Sequence, residues 1–134
     1  MKKYVVNLAL LVTGGGGYGA LEILWRGYTH YSMVIAGALC LPLLVLLSRT
    51  HLNFALLCVT GGALVTALEF TIGCVVNLWW GLGVWDYSGE RFNVLGQICP
   101  RFFLIWCGLC AVVFGICRVV KRGYQSSATS GTNR

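Results

Sequence analysis

Residues 64–82 read LVTALEFTIGCVVNLWWGL, and residues 84–101 read VWDYSGERFNVLGQICPR. The first stretch belongs to a long apolar run with one carboxylate, Glu69, inside it. The second is polar and leads straight into another apolar run. A carboxylate inside an apolar segment is costly, so Glu69 must face protein rather than lipid. Around it, Gly62, Thr66, Glu69, Gly73 and Asn77 are spaced by four, three, four and four, which lines small and polar side chains along one face of a helix. Small residues let helices approach closely and polar ones bond across the contact. Two readings of Glu69 follow: a buried structural partner for a base, or a functional carboxylate. Arg26, His30 and Arg101 are its candidate partners.

Composition places the whole chain in the same environment. Hydrophobic residues make up 57% of the 134 and charged residues only 10%, against about 25% charged in soluble domains. The mean hydropathy is +0.77. So little charge cannot cover a water-facing surface, and a lipid bilayer is the partner that this composition demands. The net charge of +6 does not imply nucleic acid, because the basic residues cluster at the ends of apolar segments instead of forming a stripe on one face.

Four apolar segments are expected as membrane spans, at about 4–24, 31–47, 52–80 and 98–120. A helix needs roughly 20 residues to cross a hydrocarbon layer of about 30 Å. The second is short and contains Pro42, which predicts a kink or local thinning. The third is longer than necessary and should tilt or project. The first could also serve as a cleaved signal peptide, since Lys2 and Lys3 precede a short apolar core. The expected fold class is all-α, a polytopic four-helix domain at 1–122. A disordered cytoplasmic tail at 123–134 follows, rich in Ser, Thr and Gly. With both termini cytoplasmic, seven basic residues lie inside (Lys2, Lys3, Arg49, Arg118, Lys121, Arg122, Arg134) and three outside (Arg26, Arg91, Arg101), as the positive-inside rule requires. All four acids then collect on the outer side.

Two outer stretches carry the polar chemistry. In the first, Glu22 and Arg26 are four residues apart and share a helix face. His30 extends that face if the helix continues past Gly27. In the second, Asp86, Tyr87, Asn93 and Gln97 are dense in hydrogen-bonding groups and suit an ordered cap over the bundle. Asn93, Gln97 and Arg101 align if the fourth helix begins early, whereas Pro100 suits a first helical turn. The expected functional set is Glu22, Arg26, His30, Glu69, Asn77, Asp86, Tyr87, Asn93 and Gln97, gathered as an outward-facing polar pocket.

Several chemistries do not fit. The run Gly14-Gly15-Gly16-Gly17 lacks the Gly-Lys-Ser/Thr of a phosphate loop, and helix packing through Gly15 and Gly19 explains it better. His30 and His51 fall on opposite sides of the membrane. Cys107-Gly-Leu-Cys110 has no second pair of matching spacing, and the other five of the seven cysteines sit in apolar runs as small hydrophobes. No metal and no cofactor is expected.

The stretches GGGGYGALEILWRGYTHYSM (14–33), ALEFTIGCVVNLWWGLGVWDYS (67–88) and FNVLGQIC (92–99) resemble a bacterial membrane-protein family described as putative ABC-transporter type IV (CmpB-like), over about 14–110. The resemblance carries Glu22, Trp25, Arg26, Gly27, Thr29, His30 and Ser32 from the first stretch. From the other two it carries Glu69, Gly73, Asn77, Trp85, Asp86, Tyr87, Asn93, Gly96 and Gln97. It implies a multi-pass protein of the bacterial cytoplasmic membrane and a permease-like transport subunit. The chain has no nucleotide-binding motif, so the ATPase would be a separate subunit. Four spans are few for a permease half, so assembly with itself or with partner subunits is implied. Two other roles fit the residues. One is a membrane-embedded enzyme acting on a lipid or cell-envelope precursor, with Glu22, Glu69, Asp86 and His30 as acid/base groups. The other is a structural or regulatory subunit.

Overall fold

The computed structural model describes residues 2–131, with side chains described for residues 4–126. The chain is all-helical. Helix α1 spans Lys2–Arg26, α2 Tyr31–Leu47, α3 Phe54–Gly73 and α4 Pro100–Gly131, and α3 runs on through a π-helical turn at Cys74–Trp79. The only strand-like feature among the described residues is an isolated bridge pairing Val94 with Ile98.

Three of the helices are long and apolar enough to cross a membrane: Tyr4–Arg26, Phe54–Trp79 and Pro100–Ser126. The fourth, α2, is apolar but has 17 residues with Pro42 inside it, about 26 Å at 1.5 Å per residue. The large side chains left exposed are apolar, among them Leu8, Val12, Leu24, Leu104, Val112 and Ile116. Such a surface suits hydrocarbon.

Helix ends fall where local chemistry stops them. Gly27 takes φ +81°, a left-handed turn that ends α1. His30 caps α2 by accepting from the Ser32 amide, so it does not extend the Glu22–Arg26 face. The expected third span, 52–80, starts later, because the Asn53 Oδ1 caps the Leu56 amide at 2.9 Å. Pro100 is the first residue of α4, where its missing N–H costs nothing. The early start that would have aligned Asn93, Gln97 and Arg101 on one helix is therefore absent. At the other end the backbone of α4 is helical to Gly131, within the segment 123–134 read from composition as a tail. Extending an existing helix avoids the nucleation cost that an isolated polar helix would meet. Residues 132–134 of that expected tail lie outside the described residues.

The helices pair as two hairpins, α1 with α2 and α3 with α4, and α2 joins them by touching both α3 and α4. In the first hairpin the backbones themselves meet: a Cβ on Gly14 would lie 2.8 Å from the Leu41 Cβ, and one on Gly15 would lie 2.9 Å from the Val34 carbonyl oxygen. In the second, Gly61 receives the Cys110 thiol and the Phe114 ring. Cys110 and Phe114 form a core with Cys40, Leu44, Leu57, Cys58 and Val65. All seven cysteines are free, and Cys107 and Cys110 pack against Gly62 and Gly61. At the end of the bundle formed by the α2–α3 turn, the Lys121 Nζ donates to the Ser48 carbonyl at 2.9 Å and Arg118 lies 4.4 Å over the Phe54 ring.

Candidate functional site

The stripe on α3 faces inward along its whole length, as its spacing predicts. Gly62 packs on Cys107, Glu69 is only 5% exposed, and Gly73 packs on Gln97 and Trp85. Its upper part does not meet a helix. It meets the segment 81–99, which folds back over the bundle end.

That segment is fastened by side chains. Gln97, 3% exposed, accepts from Asn77 Nδ2 at 2.8 Å and donates its own amide to the Leu95 carbonyl at 2.9 Å. Asn77 Oδ1 in turn accepts from the Val84 amide at 2.7 Å. The Trp85 indole donates to the Gln97 carbonyl at 3.0 Å. Asn93 donates to the carbonyls of Ser88 and Glu90 and accepts from the Gly96 amide. The Gly96 carbonyl accepts from the Tyr87 amide at 2.7 Å. Gly96 itself has φ +68°, and a Cβ there would lie 2.8 Å from Asp86 Oδ1; the position requires glycine on both counts. Asp86 accepts from the amide and hydroxyl of Ser88. Those bonds, the hydroxyl's first, hold its carboxyl below the ordinary carboxylate range.

Glu69 has none of its expected partners. Its Oε1 accepts from the Tyr87 hydroxyl at 2.9 Å and its Oε2 from the Trp106 indole at 2.8 Å. Both donors are neutral. The three bases are used elsewhere: Arg26 beside Glu22, His30 as the α2 cap with its ring nitrogen 2.8 Å from the Ser32 hydroxyl, and Arg101 on Glu90 at 2.9 Å. Arg26 and Arg101 find nearer acids, and the bend at Gly27 carries His30 away. Tyr87 stacks on Phe102 with ring centroids 4.4 Å apart, and Trp106 stacks on Tyr18 at 5.7 Å. Burial and the neighbouring Glu69 push the Tyr87 phenol well above its usual range, so it stays a donor.

Between α1 and α4 lies a cavity of about 530 Å³, roofed by Gly83, Val84, Trp85, Asp86 and Tyr87. Tyr18, Leu21, Glu22, Trp25 and Arg26 line it from α1, and Phe102, Ile105, Trp106 and Leu109 from α4. Four of the nine sequence-predicted residues border it: Glu22, Arg26, Asp86 and Tyr87. The other five do not. Glu69 stands behind the wall and orients two of its aromatics, Asn77, Asn93 and Gln97 hold the roof, and His30 caps α2. The cavity is mostly apolar, with its charges confined to one end. Sequence reasoning passed over the walls contributed by Tyr18, Leu21, Trp106 and Leu109, since each reads as ordinary membrane-helix sequence.

At the charged end, Arg26 Nη1 donates to the Val84 carbonyl at 2.7 Å, linking α1 to the roof. Nη2 lies 2.9 Å from Glu22 Oε1 without the alignment of a hydrogen bond. Arg26 Nε and Nη2 are both buried without a hydrogen-bond partner among the described residues. The other Glu22 oxygen accepts from the Thr29 hydroxyl at 2.8 Å. The guanidinium also lies 4.7 Å from the centre of the Tyr28 ring. Among the described residues no three His, Cys, Asp or Glu side chains gather as a metal site would need.

The family model described as putative ABC-transporter type IV matches residues 23–131. The match takes in α2, α3, the roof and α4, and begins one residue after Glu22. No curated protein and no solved structure matches the chain.

Proposed function

The chain belongs to the family described as putative ABC-transporter type IV (CmpB-like), and from that premise we propose that it is the membrane-embedded, permease-like subunit of a transport assembly. In this reading the four helices all span a bacterial cytoplasmic membrane, with the termini cytoplasmic and the roofed end outside. The solute is met at the cavity between α1 and α4. The observation that carries the proposal is that cavity: about 530 Å³, within the roughly 300–1,000 Å³ of small-molecule sites, with the Glu22–Arg26 pair and Asp86 among the residues bordering an otherwise apolar space. In this proposal ATP hydrolysis belongs to a separate subunit, and self-association or further membrane subunits complete the assembly.

The test is isolation of the protein from native membranes in a mild detergent. An ATPase subunit should copurify in fixed ratio, and its ATP hydrolysis should change with Glu22→Gln or Asp86→Asn. Repeated isolation of the chain without such a subunit would overturn the assignment. A structural or regulatory role has one observation in its favour: Glu69, Asn77, Asn93 and Gln97 all spend their polar atoms inside the fold. We assign that scaffold role to these four residues and the ligand role to the cavity.

A further inference from the structure

We infer that the ligand of this cavity is a single-chain amphiphile with a zwitterionic head, taken sideways from the leaflet next to the roof. The inference rests on the reading above only in treating the cavity as the binding site. It starts from where the cavity opens. Helices α1 and α4 are not packed on each other. They are bridged by the Tyr18–Trp106 stack, while Arg26 ties α1 to the roof. Leu21 and Ile105 line the cavity and are nevertheless 49% and 40% exposed. The space is therefore a cleft that opens on the flank of the bundle, at a level where the neighbouring molecules are lipid chains.

Depth and polarity select the occupant. Tyr18 lies eight residues below Arg26 on α1 and Leu109 nine below Pro100 on α4, which is about 12–14 Å of helix. Half of a hydrocarbon layer is about 15 Å. The apolar part of the cleft thus matches one leaflet's chain region, and its lower wall carries no charge. The upper end is bordered by Trp25 and Tyr28, both exposed and of a type that settles at head-group level. There the Arg26 guanidinium lies 2.9 Å from the Glu22 carboxylate, with two of its buried nitrogens unpartnered among the described residues, and Asp86 borders the same space from the roof. A head bearing both an ammonium and a phosphate complements that set, and the Trp25 and Tyr28 rings add faces for the ammonium. A purely anionic head would meet the Glu22 carboxylate beside the guanidinium.

The experiment uses the full-length protein in maltoside micelles and a lysophosphatidylethanolamine carrying a diazirine at mid-chain, with the matching diazirine fatty acid as a second arm. Irradiation should label peptides containing Leu21 from α1 and Ile105 or Leu109 from α4, and unlabelled lysophosphatidylethanolamine should compete that label away. Leu109→Trp, which fills the cleft, should lower labelling by about tenfold or more, the factor that goes with losing about 1.4 kcal/mol of binding. Leu21→Trp gives the same readout from the opposite wall, and the competition in wild-type protein decides the matter should both variants misfold. The fatty acid should label the cleft about tenfold less, the same factor. Label spread evenly over the lipid-facing surface at Val112 and Ile116, without competition, would overturn the site. Equal labelling by the fatty acid would overturn the zwitterionic head. Cleft labelling without a copurifying ATPase would leave this inference standing and remove the transport reading, and the converse result would do the opposite.

Discussion

The two helical hairpins use the same device and end up with different freedoms. In α1–α2, glycine meets backbone: Gly14 and Gly15 sit on the main chain and first side-chain atoms of α2. The polar residues Glu22 and Arg26 are turned outward, toward the cleft. In α3–α4, glycine meets side chain, with Gly61 and Gly62 receiving Cys110, Phe114 and Cys107. The acid Glu69 is turned inward and held by two donors, and a hydrogen-bonded roof covers the end. The second hairpin is thus one fastened body. The first leans on it through α2, one stacked ring pair and one arginine hydrogen bond. Binding chemistry lies at the junction between them, where parts can separate at least cost.

That contrast can be broken in order of expected effect. Glu69→Ala should strike hardest, because it orphans the buried donors of Tyr87 and Trp106 at roughly 1–3 kcal/mol each. A loss of about 4 kcal/mol is expected in thermal unfolding in detergent, with Glu69→Gln losing roughly half as much since one acceptor remains. Equal tolerance of both changes would mean that the second hairpin is not fastened through this acid. Gly14→Val should cost about 1–3 kcal/mol by overpacking. Its signature should be local: faster proteolysis at residues 27–30 between α1 and α2, with the roof still protected. Arg26→Ala should cost about 1.5–3 kcal/mol at most, the range for hydrogen bonds to charged groups. It frees α1 from Val84, so hydrogen exchange should rise in α1 and in the roof near Val84 but not in α3.

The smallest effect belongs to Asp86, which is fully exposed. Its folded carboxyl is held below the usual value by Ser88. Its stabilisation is therefore present above the unfolded value of about 3.9 and is lost as pH falls through the folded one. Asp86→Asn should flatten that acid limb of an unfolding curve by lowering stability at neutral pH toward the wild-type acid level, since the neutral amide never gains the carboxylate's share. An unaltered limb would mean that the Asp86–Ser88 turn does not hold the roof.

Much of this was legible in the residues, for identifiable reasons. The helices were readable because hydrocarbon demands long apolar runs, and α2 matches its expected bounds, Tyr31–Leu47. The inward stripe on α3 was readable because helical periodicity fixes which residues share a face. The partners of Glu69 were not. Opposite charge suggested Arg26, His30 or Arg101, yet Tyr87 and Trp106 stand 18 and 37 residues away in sequence, and only the fold-back of the roof brings Tyr87 there. The irregular 81–99 segment has no period to read, so the split between roof-holding Asn93 and Gln97 and cavity-lining Asp86 and Tyr87 was invisible. The cleft itself is a gap between two helices, and a gap leaves no mark on either sequence.

The glycine–cysteine seam has a consequence for how this protein can be watched. Cys110 is 1% exposed, and its sulfur rests where Gly61 leaves room for it. A maleimide can reach that thiol only while α3 and α4 are apart. Its alkylation rate is therefore a built-in clock for the parting of those two helices, readable on the native sequence without an introduced label.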